Sequence, residues 1–151
     1  MDVEFKRYLH NGMKLYVSEF GNMPMAFVYE STFDGDPVKD CDTLECIGII
    51  TISGYSEDAC KIDDFKVRAE HRYKEEKKDN KKIGTILFQE VLEQCKSLGY
   101  KKMYVYPYSS PFNGESRLGK AKLYEIYEHL GFKLKAGADI SQWNQEMCRD
   151  I

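Results

Sequence analysis

The sequence has no long apolar run, little net charge and no obvious targeting segment. Its 151 residues carry a formal net charge of −3, and a protein without a broad basic surface is not expected to hold a nucleic acid. No stretch approaches the ~20 apolar residues that cross a bilayer. The opening residues, MDVEFKRYLH, lack the basic-then-apolar pattern of a signal peptide. We therefore expect a cytoplasmic protein that binds neither nucleic acid nor membrane.

Metal-binding motifs are also missing. The five cysteines are scattered and form neither a CxxC pair nor a Cys/His pair at zinc spacing, so no metal site is expected. Without a secretion signal they are predicted to be reduced thiols. Cys95 falls on the apolar stripe of a predicted helix and is expected in the core.

Hydrophobic periodicity predicts a mixed α/β sheet with helices packed against it. A helix is predicted over 83–98 because Ile83, Leu87, Val91 and Cys95 recur every fourth residue, and Gly99 would end it. The other predicted elements are strands over 13–20, 25–30, 44–53, 63–68 and 102–106, a helix over 117–130, and closing strands over 132–134 and 143–148. Residues 34–45 and 70–82 are predicted to be solvated loops, the first acidic and the second rich in charge of both signs.

The start of the first predicted helix is a candidate anion site. The residues KKIGT, from Lys81 to Thr85, place two lysines and a glycine where backbone N–H groups have no partner within the helix. Gly84 would let a ligand approach the backbone closely, so the segment suits a phosphate or diphosphate. A lysine-rich loop that simply enters a helix remains the alternative interpretation.

A second candidate is Tyr127, on the apolar side of the second predicted helix. Packing alone does not require its hydroxyl, and a tyrosine at a reacting centre can give a proton to a leaving thiolate. The alternative is a core tyrosine whose hydroxyl bonds the backbone.

These features occur in an order that resembles the GCN5-related N-acetyltransferase (GNAT) family. The matching segments are FKV at 65–67, KIGT at 82–85, LGY at 98–100, the strand at 103–105, Ile126-Tyr127 and Gly131-Phe132. The resemblance covers nearly half of the chain. In the diphosphate turn only Gly84 is retained, since Asp79 stands where the family has Gln or Arg and Lys82 where it has its first glycine.

The resemblance implies a single-domain acyl-CoA N-acyltransferase-like fold over 1–151, with a splayed central sheet flanked by helices. Residues 1–60 would be a strand-rich acceptor side, 61–134 the acetyl-CoA-binding core and 135–151 a closing strand. It implies an N-acetyltransferase that moves an acetyl group from acetyl-CoA to a primary amine of a small molecule or peptide by direct attack. A homodimer is compatible with it.

The resemblance also implies site residues. Pantetheine would pair with the strand around Val67 and Ala69, a backbone N–H near Val67 would polarise the thioester carbonyl, and Tyr127 would protonate the leaving sulfur. The diphosphate would lie on the backbone of Asn80, Lys81, Lys82, Ile83, Gly84 and Thr85.

The amine must lose a proton before it attacks, and Asp63 is the first choice of base. Its strand parity places it on one face with Phe65 and Val67; Glu70, His71 and His129 are further candidates, and a solvated Asp63 is the alternative. The loop 106–116 (YPYSSPFNGES) is expected either to wall an acceptor pocket or to be a surface connection packed by its own aromatics.

Two other functions stay open. A catalytically silent relative that binds CoA or a partner protein is compatible with the imperfect diphosphate turn. A nucleotide-phosphate binder using the lysine-rich turn is ranked last, because the sequence lacks GxxxxGK[ST].

Overall fold

The computed structural model describes residues 3–9, 12–18, 23–72, 75–76, 81–134 and 145–151, with only the backbone at 75, 76 and 81. In these ranges a short 3-10 helix spans Ala69–His71, and the helices are α1 (Ile83–Ser97) and α2 (Lys120–His129). The strands are β1 (Glu4–Tyr8), β2 (Lys14–Val17), β3 (Met25–Tyr29), β4 (Cys46–Ser56), β5 (Ala59–Val67), β6 (Glu75–Glu76), β7 (Lys81–Lys82), β8 (Lys102–Val105), β9 (Lys133–Leu134) and β10 (Met147–Asp150).

The main sheet is mixed, in the strand order β1-β2-β3-β4-β5-β8-β10-β9. The pairings are antiparallel apart from the central one, where β5 and β8 run parallel. These two strands pair only from Ala59–Lys102 to Lys61–Tyr104, although β5 continues to Val67. The sheet therefore opens in its middle, and the mixed α/β class predicted from the sequence is confirmed.

Helix α1 lies against the sheet as its periodicity predicts. Ile83, Leu87, Val91 and Cys95 are buried, and the helix packs over β3, β4 and β5. Contact with the sheet is close at Gly48, where an added Cβ would lie 2.8 Å from Leu87 Cδ1. The helix ends at Gly99, which takes a φ of 88° while Tyr100 N–H bonds the Cys95 carbonyl, a glycine C-cap.

The opposite face of the sheet carries a smaller aromatic core. The sheet and the connections 30–45 and 106–119 contribute its members, which are Phe27, Tyr29, Phe33, Cys46, Ile49 and Phe112. Tyr29 and Phe33 stack with ring centroids 3.7 Å apart. Phe33 thus anchors the acidic connection to the sheet, a contact that the charge pattern of the connection did not predict.

Two sequence predictions need correction. Residues 70–82 are not simply a loop: His71 ends the 3-10 helix, and Glu75–Glu76 pairs with Lys81–Lys82 in an antiparallel hairpin. The sequence gives no signal for this hairpin, because its paired residues are all charged and offer no apolar alternation. The edge strand β1, EFKRY, is mostly exposed and had no periodic signal of its own. The predicted closing strand over 143–148 starts outside the described residues.

No helix within the described ranges combines the length and the apolar character that crossing a membrane requires.

Candidate functional site

A groove opens where β5 and β8 separate. Phe65, Lys66 and Val67 of β5 line one side, and residues 108–111, which follow β8, line another. The start of α1 and one face of α2 complete the groove, which has a volume of about 230 Å³. The chain reaches α1 from β5 through the β6–β7 hairpin and reaches α2 from β8, so the opening between β5 and β8 brings the two helices to the same cleft.

The first turn of α1 faces this groove. Lys82, Ile83, Gly84 and Thr85 all line it, and no side chain caps the helix start. Among the described residues outside α1, none accepts a hydrogen bond from the N–H of Gly84 or Thr85. Free N–H groups at a helix start favour an anion. The exposed Lys82 adds positive charge at this turn, and Lys122 of α2, which pairs with Glu125 at 3.4 Å, also lines the groove.

Gly84 is not forced on the chain by packing. A Cβ built at this position would lie 3.6 Å from Val67 Cγ2 and 3.7 Å from Phe65 Cζ, which are ordinary contacts. Glycine also lowers helix stability relative to alanine. The fold therefore tolerates a side chain here, while the backbone stays bare toward the groove.

Tyr127 lines the groove from the last turn of α2. That turn is fixed by Gly131, with a φ of 95°, and by a 3.0 Å bond from Phe132 N–H to the Tyr127 carbonyl. The Tyr127 ring packs edge-on against Phe65 at 6.2 Å and Phe132 at 5.7 Å. These contacts hold the ring in one place and leave the residue 5% exposed.

The Tyr127 hydroxyl has no hydrogen-bond partner among the described residues. Burial is the main cause that raises the pKa of Tyr127 above its ordinary value, with smaller contributions from Tyr108 and Asp64. The hydroxyl therefore keeps its proton at neutral pH and can donate it. A packing tyrosine normally bonds its hydroxyl to a neighbour when buried, and the described residues offer Tyr127 no such neighbour.

The backbone near Val67 and Ala69 is already partnered by the protein. Arg72 Nε donates to the Val67 carbonyl at 2.9 Å, and Ala69 N–H donates to Glu115 Oε2 at 2.9 Å. Arg72 Nη2 and Glu115 Oε1 lie 3.4 Å apart. We call this arrangement the Arg72–Glu115 clasp. An extended ligand pairing with Ala69 in the predicted way would have to displace Glu115.

A β-bulge places Asp63 differently from the parity prediction. Ile50 and Ile52 of β4 face Phe65 and Ile62 of β5, so the β5 strand carries an extra residue between those pairs. Ile62 is in the main core and Phe65 packs against it, whereas Asp63 is exposed. The shared face predicted for Asp63, Phe65 and Val67 is therefore wrong, because strict alternation fails across a bulge.

Asp63 nevertheless lies beside Tyr127 in a second, smaller pocket. That pocket is lined by Asp63, Asp64, Tyr106, Tyr108 and Tyr127, among others. The Asp63 carboxylate is 4.0 Å from Lys61 Nζ. Asp64 accepts a 2.8 Å bond from the Ser110 hydroxyl and lies 3.7 Å from Lys66 Nζ.

The connection 106–119 forms a wall of both pockets and is also packed by its own aromatic. Phe112 is buried under Arg68, whose guanidinium carbon lies 4.1 Å from the ring centroid. Tyr108, Ser110 and Glu115 bond the backbone or side chains of β5 and the residues after it. The segment therefore lines a groove and is also packed by its own aromatic, while its place beside an acceptor stays a prediction.

The remaining predicted site residues can now be placed. His71 and His129 line the groove, and Glu70 is exposed on the 3-10 helix. Asn80 lies outside the described residues, and only the backbone of Lys81 is described. Among the described residues, no group of three or more His, Cys, Asp or Glu side chains could hold a metal ion.

Sequence reasoning missed Arg72 and Glu115 as site residues. The two are far apart in the chain and meet only because the connection 106–119 folds back over β5. No short-range pattern marks such a pair.

No family model matches the sequence, and no curated protein is similar to it. Solved structures do share its architecture. A protein assigned as an acyl-CoA N-acyltransferase in Klebsiella pneumoniae is 9% identical with a TM-score of 0.58, over 85% of this chain and 72% of that one. The fold is that of the GNAT acetyltransferases. An acetyltransferase from Streptococcus agalactiae is 11% identical with a TM-score of 0.57, over 86% and 68% of the two chains.

A GNAT-family acetyltransferase from Staphylococcus aureus gives 15% identity and a TM-score of 0.55, over 85% and 68%. At these identities the likeness establishes the fold. The GNAT resemblance expected from the motifs is confirmed at that level, including the opened central sheet between β5 and β8.

Proposed function

We propose that the protein is an N-acetyltransferase that moves an acetyl group from acetyl-CoA to a primary amine of a small molecule or peptide. The observation that carries the proposal is one continuous groove. Its lining includes the first turn of α1, which would offer N–H groups to a diphosphate, and Tyr127, whose hydroxyl has no hydrogen-bond partner among the described residues. A phosphate-bearing thioester that lies along this groove places its sulfur near a proton donor.

The residues that line the groove fit acetyl-CoA as the acetyl donor. Gly84 leaves the backbone bare without being required by packing, and Lys82 brings positive charge to the same turn. When bound, acetyl-CoA supplies the activated acetyl group. The apolar walls of Phe65, Val67 and Leu123 would exclude water from the thioester.

In the proposed reaction the amine nitrogen forms the new C–N bond while the C–S bond of the thioester breaks. Tyr127 gives its proton to the departing sulfur, and Asp63, directly or through water, takes one from the nitrogen. The net transfer is a single proton from nitrogen to sulfur, and both side chains are restored by exchange with solvent. A backbone N–H near Val67 would polarise the carbonyl, as in other acyl transfers.

A second candidate is a silent relative that binds CoA or a partner without turnover. The Arg72–Glu115 clasp favours it, because it occupies the Ala69 N–H and the Val67 carbonyl. Tyr127 favours the enzyme, because its hydroxyl has no partner among the described residues and a binding module needs no proton donor in its groove.

Calorimetric titration with acetyl-CoA, followed by a thiol-release assay with a panel of primary amines, separates the two. Saturable binding and amine-dependent thiol release are expected. Binding without release for any amine would support the silent relative. No binding at millimolar acetyl-CoA would contradict both CoA-dependent functions.

A further inference from the structure

Two buried thiols of the main core lie in contact and take no part in the proposed reaction. Cys60 belongs to β5 and Cys95 to α1, and their Sγ atoms are 3.7 Å apart. Both residues are free thiols and 0% exposed. They are 35 positions apart in the sequence, so it is the packing of α1 on β5 that brings the two sulfurs together.

Cys60 lies in the middle of the short parallel pairing of β5 with β8. It pairs with Met103, and its Sγ lies 3.6 Å from the Lys102 carbonyl oxygen. Cys95 reaches Cys60 from the buried face of α1, near the end of that helix. The thiol pair therefore connects the centre of the sheet to the helix whose first turn lines the groove.

The distance between the sulfurs suits an internal disulfide. An S–S bond is about 2.05 Å long, so the two atoms have to approach by about 1.7 Å, a movement smaller than a change of side-chain rotamer. The hydrogen bond between the thiols is the main cause that lowers the pKa of Cys60 and raises that of Cys95. Cys60 therefore forms the attacking thiolate more readily than Cys95 does.

We infer that Cys60 and Cys95 form a disulfide under oxidising conditions, by exchange with a small disulfide such as glutathione disulfide while the chain folds. The Cys60 thiolate attacks glutathione disulfide, which forms a mixed disulfide and releases one glutathione. The Cys95 thiolate then attacks the Cys60 sulfur, so the protein S–S bond forms and the second glutathione leaves. Each glutathione takes the proton of one cysteine, and the two electrons that the protein thiols lose reduce glutathione disulfide.

Burial determines when this exchange takes place and how long its product lasts. A glutathione molecule does not reach a sulfur that is 0% exposed, so the mixed disulfide forms in the unfolded or locally opened chain. Folding then selects the two thiols that it brings into contact. In the folded protein the same burial keeps reducing thiols away from the bond, so the oxidised form persists until the chain opens again.

The disulfide would close a loop over residues 61–94. This segment contains one side of the groove, with Phe65 and Val67 of β5 and the first turn of α1. A cross-link restricts the unfolded chain more than the folded one. The oxidised protein is therefore expected to unfold at a urea concentration about 1–2 M higher than the reduced protein, the shift typical of a loop of this length.

Refolding in a glutathione buffer tests the pairing. The protein is unfolded and reduced, refolded with a mixture of reduced and oxidised glutathione, trapped by alkylation and mapped by mass spectrometry. A Cys60–Cys95 disulfide is expected in most chains, with the other cysteines alkylated. In an unfolded chain loop closure favours Cys41 with Cys46, because these two are much closer in sequence. A predominant Cys41–Cys46 bond, a scatter of pairs or no disulfide would overturn the inference.

Two alanine variants separate the cross-link from the general effect of losing a buried thiol. Cys95→Ala should abolish the disulfide and give the same urea midpoint in oxidising and reducing buffers. Cys46→Ala removes a thiol that is also 0% exposed, but it should keep both the disulfide and the shift in midpoint.

The parent protein alone also decides the question, should Cys95→Ala not fold. An oxidised parent whose urea midpoint equals or lies below that of the reduced parent would contradict the stabilising cross-link. Neither measurement uses acetyl-CoA or an amine, so the inference stands or falls separately from the proposed acetyl transfer.

Discussion

The backbone N–H of Ala69 donates a 2.9 Å hydrogen bond to the Glu115 carboxylate. The other oxygen of that carboxylate lies 3.4 Å from Arg72, which in turn holds the Val67 carbonyl. Both side chains are largely buried, with 16% and 15% of Arg72 and Glu115 exposed. The protein's own side chains thus occupy the backbone groups with which the proposed acetyl-CoA would pair.

Removing this competitor should strengthen donor binding. Glu115→Ala frees the Ala69 N–H and is expected to tighten acetyl-CoA binding about three- to tenfold, the range of one exchanged hydrogen bond. Calorimetry measures the change directly. Glu93→Ala serves as the control, since it removes an exposed carboxylate far from the clasp. Weaker acetyl-CoA binding in Glu115→Ala would mean that the clasp forms part of the donor site instead of competing with the donor.

Tyr127→Phe should slow turnover by roughly ten- to a thousand-fold, the range for loss of a proton donor. The ring contacts to Phe65 and Phe132 survive the change, so acetyl-CoA affinity is expected to stay nearly constant. Steady-state thiol release and calorimetry together give the two quantities. An unchanged kcat would remove Tyr127 from the mechanism.

The same helix offers the matched control for that experiment. Tyr124 is also buried, and its hydroxyl accepts from Gln145 N–H and donates to the Gln145 carbonyl, both at 3.1 Å. Tyr124→Phe should therefore lower the free energy of unfolding by ~1 kcal/mol, the usual effect of a lost hydrogen bond, and leave kcat unchanged. The two variants separate a catalytic hydroxyl from a structural one.

Gly84→Ala should raise stability and weaken donor binding together. The added methyl meets only ordinary contacts, and alanine in a helix is favoured over glycine by ~0.5–1 kcal/mol. The same methyl stands where a diphosphate would approach the backbone, so acetyl-CoA affinity should fall at least tenfold. Thermal denaturation and calorimetry measure the two effects. Gly54→Ala, whose Cβ would lie 3.6 Å from the Tyr100 hydroxyl outside the groove, should leave affinity unchanged.

Alkaline pH should destabilise the protein partly through Cys46. Burial is the main cause that raises the pKa of this thiol from 9.0 to about 12. Below pH 9 the thiol is neutral in both states and has no effect; between pH 9 and 12 only the unfolded thiol ionises, so stability falls by up to ~1.4 kcal/mol per pH unit. Cys46→Ala should therefore lose less stability than the parent between pH 8 and 10 in urea titrations. Identical losses would contradict the raised pKa.

The sequence predicts those elements whose local pattern agrees with their final environment. Helix α1 is recognisable because its buried residues recur at helical spacing and Gly99 ends it. Strands β3 and β4 are recognisable as apolar runs. The hairpin of β6 and β7 is not, because its sequence is entirely charged and carries no apolar pattern.

The site was predictable only in part, for a similar reason. Tyr127 and Gly84 lie in helices that the apolar pattern predicts, and Gly131 fixes the turn after Tyr127, so their surroundings follow from the pattern. Asp63 was assigned to the wrong face because a bulge adds a residue to β5, which alternation cannot reveal. The clasp of Arg72 with Glu115 depends on how a long connection folds back, and distant pairs leave no trace in local sequence.

The short parallel pairing of β5 with β8 means that the left and right parts of the sheet are joined by a narrow seam, Ala59–Lys61 against Lys102–Tyr104. A thioester lying in the gap beyond that seam would touch β5, both helices and the connection after β8 at once. The bound thioester would bridge the two parts of the sheet. Its binding would therefore stabilise the folded protein in addition to supplying an acetyl group.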